Sequence, residues 1–264
     1  MKISVCGKGG SGKTVVTTLL AHALRGRGYR ALVVDSDESN SGLHRLLGFD
    51  RAPVPLVELV GGKQEVKNAF PKDRSLQSAM GTNVLVQERI PLGDLPPEYV
   101  LSRDGISLVA VGKILQSLEG CACPMGVLSR EFLRKLHLEA DEVAIVDMEA
   151  GVEHFGRGVE SSIDAVLMVV DPSFESVQLA ERVNGMTAEI GISRRWALLN
   201  KIASDDISSK LKRDLSGRNV DVIGSLRYDP KIFEACLTGL PAQSIEAARD
   251  VEPIMDIILA ARVT

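Results

Sequence analysis

Short runs of Val, Ile and Leu recur along the chain, and between them apolar residues fall three and four positions apart. The runs predict β-strands at residues 2–6, 31–35, 83–87, 108–111, 143–147, 165–170, 196–200 and 220–224. Several are apolar almost without a break, as in strands buried on both faces of a parallel sheet. Helical spacing appears at 15–27, 129–136, 173–189 and 207–215. This alternation predicts an α/β fold: a doubly wound, mostly parallel sheet of about seven to eight strands with helices on both faces. Residues 51–81, with Pro53, Pro55 and Pro71, and residues 93–105 break the pattern. Both read as surface loops or insertions, so residues 1–264 are expected to form one domain.

The first strand runs into Gly7-Lys8-Gly9-Gly10-Ser11-Gly12-Lys13-Thr14, which fits G-x-x-x-x-G-K-[ST]. Such a loop lets backbone N–H groups close around phosphate oxygens. Lys13 is placed to reach the terminal phosphates of ATP, and the Thr14 hydroxyl to ligate Mg²⁺. The strand before the loop and the apolar-striped helix after it supply the context that a chance glycine-rich turn lacks. The loop also carries a second lysine, Lys8.

Two strand ends offer carboxylates for Mg²⁺ and for an attacking water. One is Val33-Val34-Asp35-Ser36-Asp37; the other is Ile145-Val146-Asp147, with Gly151 shortly after. Asp147 suits a water-mediated hold on Mg²⁺, and the Gly151 N–H a γ-phosphate. Asp35 is open between a nucleotide role and the positioning of Lys13. Each aspartate would otherwise simply end a strand or cap a helix.

Composition narrows the class. The net charge of −4 argues against a nucleic-acid partner, and no apolar run is long enough to span a bilayer. The P-loop stands where the apolar core of a secretory signal would sit, so a cytoplasmic location is expected. There, cysteines serve as metal ligands, redox groups or buried hydrophobes rather than in disulfides. Of the 4 cysteines, Cys6 and Cys236 are isolated and read as buried small residues. Cys121-Ala122-Cys123 differs: its thiols can converge on one soft or borderline ion such as Ni²⁺, Zn²⁺ or Cu(I). One pair is half of a four-coordinate site, which a two-fold homodimer would complete. A redox couple, or no role, are the other readings of the spacing.

The double-lysine loop, the Asp35-x-Asp37 strand end and the Asp147-x-x-Ala150-Gly151 segment resemble the deviant Walker A ATPases. That family includes cell-division and partition ATPases, the nitrogenase iron protein and nickel-inserting ATPases. The resemblance implies that Lys8 crosses a dimer interface to the nucleotide of the other subunit, and that Asp37 orients the attacking water. It also implies an adenine contact at Asn200, in Asn200-Lys201, and a later base contact at Tyr228-Asp229-Pro230. The chain departs from the family pattern at Glu38, where a proline is frequent, and at Leu226-Arg227, where Ile-Pro is frequent. Cys121/Cys123 ahead of the Asp147 strand, and the stretch from Asp147 to Gly158, resemble the CooC-type ATPases, although Glu149 replaces a small residue. That subgroup delivers nickel to carbon monoxide dehydrogenase. The resemblance thus implies a homodimer that binds nickel, or zinc in vitro, through Cys121 and Cys123 of both subunits, with that nickel enzyme as client. His154 reads as an ordinary hydrogen-bonded histidine.

Two other classes compete. An iron–sulfur reductase like the nitrogenase iron protein would need two well-separated cysteines per subunit, not a C-x-C. A MinD/ParA-like positioning ATPase acting on a membrane would need a basic C-terminal amphipathic helix. The tail from Val251 carries Glu252 and Asp256 against Arg262 alone.

Overall fold

The computed structural model describes residues 1–39, 41–68, 85–112, 123–152 and 162–263. Its centre is an eight-stranded sheet in the order β10-β9-β8-β1-β7-β2-β5-β4. The strands are β1 (Lys2–Gly7), β2 (Arg30–Asp35), β4 (Leu101–Arg103), β5 (Ile106–Ala110), β7 (Glu142–Asp147), β8 (Ala165–Val170), β9 (Arg194–Ile202) and β10 (Val222–Arg227). All neighbours are parallel except the β4–β5 hairpin at one edge. A separate parallel pair joins β3 (Ile90–Pro91) to β6 (Leu136–His137).

Successive side chains of a strand point to opposite faces, and both faces here are apolar. Leu32, Val34, Ala144, Val146, Val166 and Met168 enter one core; Ala31, Val33, Val143, Ile145, Ala165 and Leu167 enter the other. The first core is roofed by α5 (Cys123–Lys135) through Leu128, Phe132 and Leu133, and by α6 (Phe174–Glu189) through Val177, Ala180 and Val183. α7 (Asp205–Gly217) adds Leu215, and the short α3 (Leu56–Leu59) and α4 (Lys63–Asn68) close that side. The second core is roofed by α1 (Lys13–Gly26), α2 (Leu43–Leu46), α8 (Pro230–Thr238) and α9 (Ile245–Val263). Helices on both faces of a mostly parallel sheet are the predicted class.

The strand expected at 83–87 does not form where it is described: residues 85–87 are bend and coil. Leu85 is held by a side chain rather than a ladder, since its N–H donates to Glu131 Oε1 at 3.0 Å. β4 instead lies inside the stretch expected to be irregular. Its Leu101-Ser102-Arg103 has one partly buried apolar residue, too little periodicity to announce a strand. α5 begins upstream of the helical spacing at 129–136, and β10 is displaced toward Arg227 from the predicted 220–224.

Candidate nucleotide site

β1 ends at Gly7, and the chain turns there in a conformation no other residue adopts easily. Gly7 has φ +147°, and a Cβ would lie 2.5 Å from the Val169 carbonyl oxygen of β8. The turn continues as the Ser11 N–H donates to the Lys8 carbonyl at 3.1 Å. Gly12, at φ +96°, then caps α1, whose first residue Lys13 is buried. The loop thus ends at a helix N-terminus, where backbone donors and the helix dipole favour an anion. The Ser11 hydroxyl is buried within it and has no hydrogen-bond partner among the described residues.

Two side chains of β9 brace the loop from outside. Asn200 Nδ2 donates to the Ser11 carbonyl at 2.8 Å, and Lys201 Nζ to the Gly10 carbonyl at 2.6 Å. Lys201 holds a left-handed backbone, φ 59°, while making this contact. Both residues therefore touch the P-loop, rather than standing apart as base contacts alone. Tyr228 is half exposed and its N–H donates to the Ile202 carbonyl at 2.9 Å. Asp229 caps α8, its Oδ1 accepting from the Lys231 N–H at 2.8 Å, and Pro230 occupies the first turn of that helix. Their spacing is thus explained by helix capping before any ligand is invoked.

The acidic side of the site is set by register. Asp35 of β2 and Asp147 of β7 are Cα partners on adjacent strands, and both are buried. The Thr14 hydroxyl donates to Asp147 Oδ2 at 2.8 Å, while Asp147 Oδ1 is buried with no partner among the described residues. Burial, reinforced by the nearby Asp35, pushes the Asp147 carboxyl up to about 7 against the pull of Thr14 and Lys13; Asp37 adds to the rise. Asp37 is buried, and its Oδ1 accepts from the Ser39 N–H at 3.0 Å and the Ser39 hydroxyl at 2.6 Å. Among the described residues, no three His, Cys, Asp or Glu side chains converge to hold a metal ion. A hydroxyl, a carboxylate with an unmet oxygen, and phosphates supplied by a nucleotide suit Mg²⁺, which is rarely held by an all-protein cage. The Gly151 N–H donates to the Gly7 carbonyl at 3.3 Å, so the expected phosphate donor lies beside the loop.

Lys8 turns to its own subunit. Its Nζ donates to Ser173 Oγ at 3.1 Å and lies 3.8 Å from Asp171 Oδ2. Asp171 follows the apolar run of β8 as Asp147 follows that of β7, so a strand-end aspartate was its available signal. Ser36, between the two acidic residues of β2's end, shares a 2.7 Å hydroxyl–hydroxyl hydrogen bond with Ser129 of α5. No sequence pattern announces that pair. Cys123 is the first residue of α5, but its side chain lies outside the described set, as do Cys121 and His154.

The family model described as the CobQ/CobB/MinD/ParA nucleotide binding domain matches residues 3–242. An uncharacterized ATP-binding protein of Methanocaldococcus jannaschii is 40% identical over 260 residues, covering 98% of each chain. The carbon monoxide dehydrogenase accessory protein CooC of Rhodospirillum rubrum is 31% identical over 253 residues, 94% of this chain and 91% of that one. In fold, the septum site-determining protein MinD of Pyrococcus horikoshii, solved with Mg-ADP, superposes with a TM-score of 0.67 at 20% identity, over 100% of this chain and 98% of that one.

Proposed function

Because the chain belongs to the CobQ/CobB/MinD/ParA family of nucleotide-binding ATPases, we propose that it works as an ATP-driven metallochaperone dimer. Its cargo is nickel, and its client a nickel enzyme of the carbon monoxide dehydrogenase type. Lys13, Thr14 and Asp147 hold Mg-ATP together with Gly9, Gly10, Ser11 and Gly12 of the loop. Bound Mg²⁺ supplies charge neutralisation at the phosphates. Asp35 supports the Mg²⁺ side, Asp37 orients water, and the Gly151 N–H serves the γ-phosphate. Asn200, Lys201, Tyr228, Asp229 and Pro230 form the base side. Lys8 leaves Ser173 to meet the partner subunit's nucleotide, and Cys121 and Cys123 of both subunits take the metal.

The observation that carries the metal reading is the C-x-C pair in the sequence, whose second cysteine, Cys123, is the first residue of α5, a helix hydrogen-bonded to the Asp35–Asp37 segment. Similarity to the R. rubrum accessory protein along 94% of this chain supports the client class. Equilibrium dialysis of the purified protein against Ni²⁺ and a weak chelator tests it. One ion per dimer is expected, lost in Cys121→Ala/Cys123→Ala; equal binding by both proteins, or none by wild type, overturns the reading. Iron with cluster absorbance in an anaerobic preparation would favour the reductase instead.

A further inference from the structure

We infer that the Ser36–Ser129 hydroxyl pair couples nucleotide state to the cysteine-bearing helix; this rests on the metal-handling reading above. Ser36 lies between Asp35 and Asp37, and its N–H donates to the Asp147 carbonyl at 2.9 Å. Its backbone is therefore tied to the strand end that carries Asp147, while its side chain reaches α5. Ser129, across the 2.7 Å bond, is 1% exposed and lies among Val127, Leu128 and Phe132, all buried.

Apolar contacts of α5 against the sheet tolerate a small slide, because dispersion attraction has no direction. A buried hydroxyl pair does not. If Ser36 moves with the Asp37 segment, α5 must follow or Ser129 is stranded among carbons without a partner. The rest of the helix makes following possible only as a unit. At its C-terminal end Lys135 and Glu131, both buried, pair at 3.0 Å and clasp Leu85: Glu131 accepts its N–H and Lys135 donates to its carbonyl. At its start Met125 fills the space over Gly112, where a Cβ would lie 2.1 Å from the Met125 sulfur. The backbone hydrogen-bond ladder makes the helix shift as one body against these grips, so a pull at Ser129 reaches the turn that opens at Cys123.

A coupling of this kind is a difference in affinity, and linkage makes it reciprocal. The full-length protein is assayed for Ni²⁺ affinity by chelator competition, with and without ATPγS. Wild type is expected to change its Ni²⁺ affinity roughly tenfold, within the usual range for site–site coupling. In Ser36→Ala and in Ser129→Ala the ratio falls to within about twofold of one, and the double variant adds nothing further. Ser129→Thr keeps a hydroxyl and retains the ratio. Ni²⁺ affinity without nucleotide and ATPγS affinity without metal stay near wild type in all four; Ser36→Ala alone lowers the melting temperature, because it leaves the buried Ser129 hydroxyl unpaired, and the double variant recovers it. A merely structural serine would lower stability or basal affinity and leave the ratio intact, which overturns the proposal. Carbamidomethylation of Cys123 by iodoacetamide, mapped by peptide mass, reads the same coupling without metal. A rate that responds to ATPγS in wild type but not in Ser129→Ala supports the link even if wild type binds no nickel, in which case only the metal reading falls. A wild-type rate and nickel affinity both indifferent to ATPγS sink the coupling itself.

Discussion

Asp147 is fully buried beside Asp35 with one oxygen unmet, and its carboxyl titrates near 7 in place of the usual 3.8. Between those two pH values the folded, metal-free chain keeps a proton that the unfolded chain has lost. The stabilisation from this group is therefore complete below about pH 4 and is lost as pH rises through about 7. Asp147→Asn removes that dependence while keeping an oxygen to accept from Thr14. The nucleotide- and Mg²⁺-free variant should melt several degrees above wild type at pH 8, on the order of a few kcal/mol, with the gap clearly smaller at pH 5 and closing only below that. Its ATP turnover should be lost. A gap of equal size at both pH values would show that desolvation of the carboxylate is not its cause. Much of this was readable from the chain: Asp147 closes an apolar run, and Thr14 belongs to a motif with a fixed role. The partners of Lys8 were not, because a 3.1 Å contact to Ser173 depends on how β1 and β8 pair, far apart in sequence.

Among the elements, the P-loop is set as much by β9 as by its own glycines. A Cβ at Gly12 would stand 2.2 Å from Asn200 Nδ2, and φ +96° would strain any side chain there. Gly12→Ala thus displaces the amide that holds the Ser11 carbonyl and forces the first turn of α1. Each effect costs about 1–2 kcal/mol, so ATP affinity measured by fluorescent-analogue competition should weaken roughly 30- to 1,000-fold. Asn200→Ala, which removes the brace without strain, should weaken it only about fivefold. Equal effects would mean that Asn200 acts chiefly on the base rather than on the loop. At the sheet edge next to β9, a Cβ at Gly224 of β10 would lie 2.4 Å from Ile254 Cγ1 of α9. Gly224→Ala should lower the urea midpoint by an amount equivalent to about 1–3 kcal/mol, and Gly224→Ala/Ile254→Val should recover part of it. A glycine inside a strand does signal close approach, but not by which helix. The continuous apolar strands were legible for the opposite reason: burial on both faces leaves composition no alternative. β4, at the edge and half exposed, carried no such signature.

At the scale of the whole molecule, the second lysine poses a choice between two partners. In the single subunit Lys8 is satisfied by Ser173 and Asp171, at the end of β8 and the start of α6. If it serves the partner subunit's nucleotide, dimerisation must first break those contacts. Lys8 and Asp171 are partly exposed, so each latch is worth only about 0.2–1 kcal/mol, but a symmetric dimer opens two of them. Asp171→Ala should therefore tighten ATP-dependent dimerisation by roughly two- to thirtyfold, seen by sedimentation velocity at fixed ATPγS across a protein dilution series. Lys8→Ala should abolish it. The two changes act in opposite directions although they remove the same ion pair, and that contrast separates a latch from a structural contact. Ser173 also caps α6 by accepting from the Ser176 N–H, so its removal would confound the measurement with helix fraying. Raising ionic strength should shrink the wild-type penalty and leave Asp171→Ala little changed, because screening weakens the exposed pair first. Weaker dimerisation in Asp171→Ala would instead make that carboxylate part of the interface, with Lys8 resting on the surface it is meant to cross.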